Sequence, residues 1–353
     1  MTRNGAVAVV APALLLSLAS CEEAIGPGAA EPDRIIFLSD RDGAPLAERT
    51  IYRVAVDGTD LEVLVSEPAQ YSQPVLSPDG TRLAFAAAFP GGCQNIRSMH
   101  VDGSDVRQLS GVDEESRCNV SPRWSPNGSR IAFMSSDQPE LSWEVHVMNA
   151  DGTGRVNVTN HPAADHLHGW TPDGRLVIES DRAGEVRTYV MNPDGTDVEP
   201  LFDDPGIRQP YWSPDGTRIA AVRQTDGESQ VLMLTDAGEV AVEQDPSEYP
   251  TLPIGIDPWS PDGTRLAYVG GPVGPDHNIR IVNADGTGLR HATAEAGQHV
   301  FRGWSPDGTR IVFTSDRTGQ RDVFVANDDG SGLVNLTNSA ATDDWAIWVP
   351  AAR

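Results

Sequence analysis

The stretch HPAADHLHGW, residues 161–170, places His161, His166 and His168 close to Asp165. Imidazole and carboxylate groups ligate transition metals and move protons near neutral pH. His166 and His168 stand two residues apart, which on a strand puts both rings on one side, where they can share a metal. The spacing fits neither a zinc finger nor HExxH, so no metal ligand is assigned. WSPDGTRIVFTSDR, residues 304–317, offers a second constellation: Ser305, Asp307 and Asp316 with two arginines. Nucleophilic catalysis needs a hydroxyl beside a base, but there is no G-x-S-x-G elbow. There is no glycine-rich phosphate loop either. No catalytic residue and no cofactor follow from these motifs, and the protein reads as a non-enzyme.

Repetition shows what Ser305 and Asp307 are for. The phrase returns as LSPDGTRLAF (76–85), WSPNGSRIAF (124–133), WTPDGRLVI (170–178), WSPDGTRIAAV (212–222) and WSPDGTRLAYV (259–269). Each copy is followed by an apolar run, a turn of the NADG type and a short strand such as LVNLT (333–337). Four short strands per period of about 45 residues are the mark of a β-propeller blade. Ile311, Val312 and Phe313 are consecutive and apolar, as suits a strand covered on both faces. RIIFLSDRDG (34–43) lacks the preceding WSPDG, while DDWAIWVP (343–350) is a lone first strand, so the two ends should share a blade. The expectation is an all-β, seven-bladed propeller of four-stranded antiparallel blades over residues 34–350.

A group used once per blade is doing structural work. In S-P-D-G, proline presets φ, aspartate bonds its own backbone and glycine accepts positive φ, which together make a hairpin. Calcium held by several turn aspartates is the other reading, without EF-hand spacing. The tryptophans at 124, 170, 212, 259, 304 and 348 are expected to pack blade on blade. Function is then expected where the copies disagree. Residues before the tryptophan line a channel mouth: two before stand Pro74, Pro122 and Pro210 in three units and His168, Asp257 and Arg302 in three others, and four before stand Ser72, His166, Arg208 and Asp344. The candidate ligand-binding residues are His166, His168, Arg208, Asp257, Arg302 and Asp344. Cys93 and Cys118 fall in loops assigned to one face and one blade, and a disulfide between them is expected.

Composition limits the partners. The chain has 51 acidic and 26 basic residues, every basic one an arginine, for a net charge of −25. Such a surface repels nucleic acid and does not dock on anionic lipid through a basic patch. Residues 1–20 carry Arg3 and an apolar run and read as a signal peptide. Leu18-Ala19-Ser20-Cys21 resembles a bacterial lipobox, which implies lipidation of Cys21, and residues 21–33 read as a flexible tether. The membrane is thus expected to be touched only through a lipid anchor, on an exported, periplasmic or outer-membrane-anchored protein.

The units WSPDGTRIAF…VMNADGT…LT resemble the WD-repeat-like propeller of the TolB family over about residues 34–349. That resemblance implies an exported propeller serving as a platform for an envelope protein or polysaccharide, and a monomer is expected. TolB proteins carry an α/β domain before a six-bladed propeller and work with a peptidoglycan-associated lipoprotein. Here 33 residues precede the first strand matched to the repeat. The general architecture is also similar to that of oligogalacturonate lyases, whose histidine-bound metal points to His166 and His168. The alternative function is accordingly a metal-dependent lyase, or a binder, of acidic oligosaccharides at the channel mouth.

Overall fold

The computed structural model describes residues 33–41, 49–88, 92–111, 117–137, 143–225, 227–244, 248–253, 255–271 and 277–351. The expected signal peptide, Cys21 and nearly all of the tether lie outside them. Every regular element among the described residues is a β-strand, and the architecture is a β-propeller.

The blade count departs from the expected seven four-stranded blades. Five discrete blades, four of four strands and one of three, accompany a single seven-stranded sheet. Two local features account for the difference. Strand Glu62–Leu76 runs for 15 residues and pairs with Arg49–Ala55 at one end and Arg82–Ala88 at the other, so two repeat units become one sheet. Between Glu62 and Gln70 there is no glycine, asparagine or aspartate to turn the chain. In the three-stranded blade the segment before Trp259 forms only the isolated bridges Thr251–Val269 and Trp259–Leu266. Pro250, Pro253 and Pro258 remove three ladder donors there, so no regular first strand forms.

Closure occurs as the incomplete ends suggested. Arg34–Ser39 pairs antiparallel with Asp343–Val349, with Arg34 opposite Val349 and Ile35 opposite Trp348, so the two ends of the chain are joined in one sheet. Apolar clusters lie between successive sheets. Ile35, Phe37 and Trp348 pack on Val312, Val323 and Val325 of the neighbouring blade. The repeat tryptophans also carry a polar link. Indole Nε1 of Trp124, Trp170, Trp259 and Trp304 donates to the carbonyls of Val75, Arg123, Tyr211 and Pro258 respectively. Each acceptor is the residue just before the equivalent position one unit earlier, so the side chain that fills the gap also sets the register between units.

The S-P-D-G turns do what repetition implied. Ser305 Oγ donates to Asp307 Oδ1 at 2.6 Å and accepts from Arg310 N–H at 2.9 Å, while Asp307 Oδ1 also accepts from Thr309 N–H at 3.0 Å. The same net recurs at Ser77, Ser213 and Ser260. Asp215 and Asp262 are held down to about 2, first by the serine hydroxyl and then by the threonine N–H. Asp79 and Asp307 are lowered by the same contacts. A carboxyl whose folded pKa is depressed adds stability above its unfolded pKa of about 4 and loses it as pH falls through the folded value. The thermal midpoint should therefore hold above about pH 4 and fall steeply toward pH 2. A midpoint that stays level from pH 5 to pH 2 would remove the turns from this role.

Candidate functional site

The first strands of the units surround a central cavity of about 880 Å³. Its wall includes His166, His168, Arg302 and Asp344 of the six expected residues, together with Pro74. Asp257 instead lines a second cavity of about 320 Å³, with Tyr211, Pro210 and the repeat tryptophans 170 and 212. Arg208 lines neither cavity, and its guanidinium donates to the Val186 carbonyl at 3.4 Å. The ladder also slips at a bulge between Arg208 and Tyr211. The expected single ring is therefore split between two connected levels.

That bulge recurs. Gln73, Ser121, Gln209 and Trp345 lie at φ between 52° and 56°, each three residues before a repeat position, and all four line the larger cavity. Left-handed backbone is costly for residues with a Cβ and persists where the surroundings hold it. The ladder slips at the same places, between Ser72 and Val75, Val120 and Arg123, Arg208 and Tyr211, and Asp344 and Ile347. One contact holds two of these bends together: Gln73 Oε1 accepts from Ser121 N–H at 2.6 Å and from Ser121 Oγ at 3.0 Å. The bulges turn four side chains toward the axis that a regular strand would direct elsewhere.

Two charge pairs shape the wall. Asp344 accepts from Arg302 and, at 2.8 Å, from Arg321, and Arg302 stacks 4.6 Å from the centroid of Trp345. Burial works to raise the Asp344 pKa, but the two guanidinium groups outweigh it and hold the carboxyl below its ordinary value. His168 Nε2 lies 3.0 Å from Glu179 Oε1. Burial opposes ionisation of Glu179 too, and His168, helped by Arg208, prevails and lowers it. His299 is wholly buried, with Nε2 at 3.1 Å from the Glu295 carbonyl and Nδ1 facing Arg317 at 3.4 Å. These contacts fit a neutral ring, which burial favours by lowering its pKa.

In the smaller cavity, Asp257 is open to the channel yet walled by protein, and that enclosure pushes its carboxyl up to about 6. Tyr211 Oη donates to the Pro253 carbonyl at 2.6 Å and accepts from Gly255 N–H at 2.9 Å. Burial pushes the Tyr211 phenol up to about 12, so it stays protonated. Sequence reasoning missed Arg123, Glu179, His299, Arg321 and Trp345. Arg123 alone left a signal: the residue just before the repeat tryptophan is a cation only in that copy.

Cys93 and Cys118 form a disulfide. The expectation that both belong to one blade is corrected, since Cys118 opens strand Arg117–Trp124 of the next sheet. The bond therefore staples the seven-stranded sheet to its neighbour. Beside it, Asn119 N–H donates to the Gln94 carbonyl at 2.7 Å.

The model of the TolB beta propeller domain matches residues 111–252 and 210–352, which is more than half of the chain. The chain belongs to the TolB β-propeller family. A TolB homologue of Chlorobium luteolum is 29% identical over 159 residues, 45% of this chain and 34% of that protein. An uncharacterised protein of Agrobacterium fabrum is 33% identical over 162 residues, 42% of this chain and 53% of its own length. The matches thus span between a third and about half of these relatives. Among solved structures, TolB from Acinetobacter baumannii aligns with a TM-score of 0.55 at 17% identity, covering 90% of this chain and 67% of that one. An oligogalacturonate lyase from Vibrio parahaemolyticus aligns at 0.63 with 15% identity, covering 83% and 85%. At these identities the likeness is one of fold.

Proposed function

We propose that this TolB-family propeller is exported, is held at the cell envelope through Cys21, and binds an envelope protein or polysaccharide at the channel mouth without turning it over. The observation that carries the reading is the set of four left-handed bulges aimed into the larger cavity. Strain kept at four separate strands is spent on the shape of the mouth, whereas the turns of the opposite face use their serines and aspartates on themselves. Solvent reaches His166 at the rim, and Arg321, although paired with Asp344, keeps 29% of its side chain exposed, so both can meet a ligand.

The test is capture of fractionated envelope components on immobilised protein. The paired substitutions His166→Ala and Arg321→Ala should reduce capture at least tenfold, as loss of a charged contact does, while Asp307→Asn in a turn should leave it unchanged. Equal capture by both variants would rule out the mouth. Replacing Cys21 by Ala should move the protein from the membrane to the soluble fraction.

The second reading, a metal-dependent lyase of acidic oligosaccharides, draws on fold neighbours that include an oligogalacturonate lyase in complex with manganese. Among the described residues, however, no three His, Cys, Asp or Glu side chains come together to hold a metal ion. His168 Nε2 faces Glu179 at 3.0 Å. These residues do not fit the group, and no step is derived through it.

A further inference from the structure

We propose that Arg123 is the anchor for a single carboxylate, carried by a ligand that is otherwise uncharged. The inference rests on the channel-mouth reading above and adds to it the class of ligand and the residue that selects it.

Three arginines line the larger cavity, and two of them, Arg302 and Arg321, are committed to Asp344. Arg123 has no carboxylate partner among the described residues. Its Nε donates to the His168 carbonyl at 3.3 Å and its Nη1 to the Pro122 carbonyl at 2.8 Å. Those bonds fix the plane of the guanidinium and leave Nη2 unused, although the group carries five donors suited to a two-pronged carboxylate contact. Tyr211 cannot serve as the counter-ion, because its phenol is protonated and both its hydrogen bonds are made.

Arg123 packs its guanidinium against the backbone of Gly255, a position that a side chain would close to it. A Cβ at Gly255 would stand 2.1 Å from Arg123 Nη2, and the residue sits at a φ of +73° that favours glycine. Arg123, His168 and Gly255 line both cavities, so the unused donor lies at the neck that joins them. A charged group walled in by protein without a partner is unfavourable, and an arriving anion would supply the missing partner.

The other groups in the channel restrict what that anion can be. Glu179, Asp257 and Asp344 share the channel, in a chain of net charge −25, so each further negative charge on a ligand would meet repulsion. Val75, Met134, Leu167, Val300 and Ile347 supply an apolar wall for a neutral body. The neck thus suits a monocarboxylate with an uncharged chain and disfavours a polyanion.

The experiment is calorimetric titration of the full chain with three probes: an N-acetylated neutral tetrapeptide acid, the same peptide as its amide, and trigalacturonate. The acid should bind about 10- to 100-fold more tightly than the amide, the ratio expected of a hydrogen-bonded charge pair. Arg123→Gln should erase that ratio and leave amide binding unchanged, while Arg123→Lys should restore part of it. Gly255→Ala should also erase it with Arg123 chemically intact, which keeps the test sound if Arg123→Gln folds poorly. Equal binding of acid and amide, an undiminished ratio in Arg123→Gln, tighter binding of trigalacturonate, or no acid binding at millimolar concentration would each overturn the proposal. Any of these beside mouth-dependent envelope capture would sink the carboxylate anchor alone, whereas loss of that capture would sink the binding reading beneath it.

Discussion

Asp344→Asn should lower the free energy of unfolding by about 3 to 5 kcal/mol, as removal of one partner from a buried ion pair does. The side chains of Asp344 and Arg302 are 6% and 8% exposed, and the carboxylate is the only acid facing Arg302 and Arg321 among the described residues. Its Oδ1 further accepts from Trp345 N–H at 2.7 Å and from Thr314 Oγ1 at 3.2 Å, so the same oxygens fix the left-handed bend at Trp345. Asparagine keeps the shape, yet its amide nitrogen turns two N–H groups toward guanidinium donors. Urea unfolding reads this as a lower midpoint at unchanged slope. The double variant Asp344→Leu with Arg302→Met should recover most of the loss, since it removes both members of the buried pair and leaves only Arg321, whose side chain is 29% exposed, without its acid. A single variant as stable as the parent would show that the pair is screened by channel water.

Reduction, or the paired substitutions Cys93→Ala and Cys118→Ala, should cost about 3 to 4 kcal/mol, the loop-closure value for a bridge of this span. The two residues are 25 apart in sequence and join adjacent sheets, so the bond restrains a boundary between blades as well as a loop. Denaturation with and without reductant measures it, and the paired variant should be insensitive to reductant. The same bridge lies next to the Gln94–Asn119 backbone bond and three residues from Ser121, at one of the mouth's bulges. Its loss should therefore weaken ligand capture at the mouth in addition to stability. Capture that survives reduction unchanged would separate the staple from the site.

How much of this was legible in the sequence depends on whether a residue acts within its own unit. The S-P-D-G hairpin closes on itself, so the six residues from its serine to its arginine carry the whole geometry, and it recurs along the chain. The apolar triplets and the tryptophans are equally local in kind, because every unit presents the same surface to the next. Closure could be read because the two ends are complementary fragments of one repeat. The blade count could not, since it turned on a missing turn signal between Glu62 and Gln70 and on prolines that unzipped the strand before Trp259. Arg208 was expected at the mouth and instead reaches the Val186 carbonyl, a partner in another strand connection that its own repeat unit does not reveal.

The chain by itself determined the class of fold, the recurring turn and the place to look for function, the positions where copies differ. Only the tertiary structure decided which of those positions meet. Asp344 finds Arg302 across 42 residues, and Arg123 packs on Gly255 beside a channel that forms only when all the sheets are in place. Such neighbours are set by the curvature of the whole ring, which no single repeat contains. For that reason an arginine with no partner in the sequence pattern became the residue on which recognition at the neck is expected to depend.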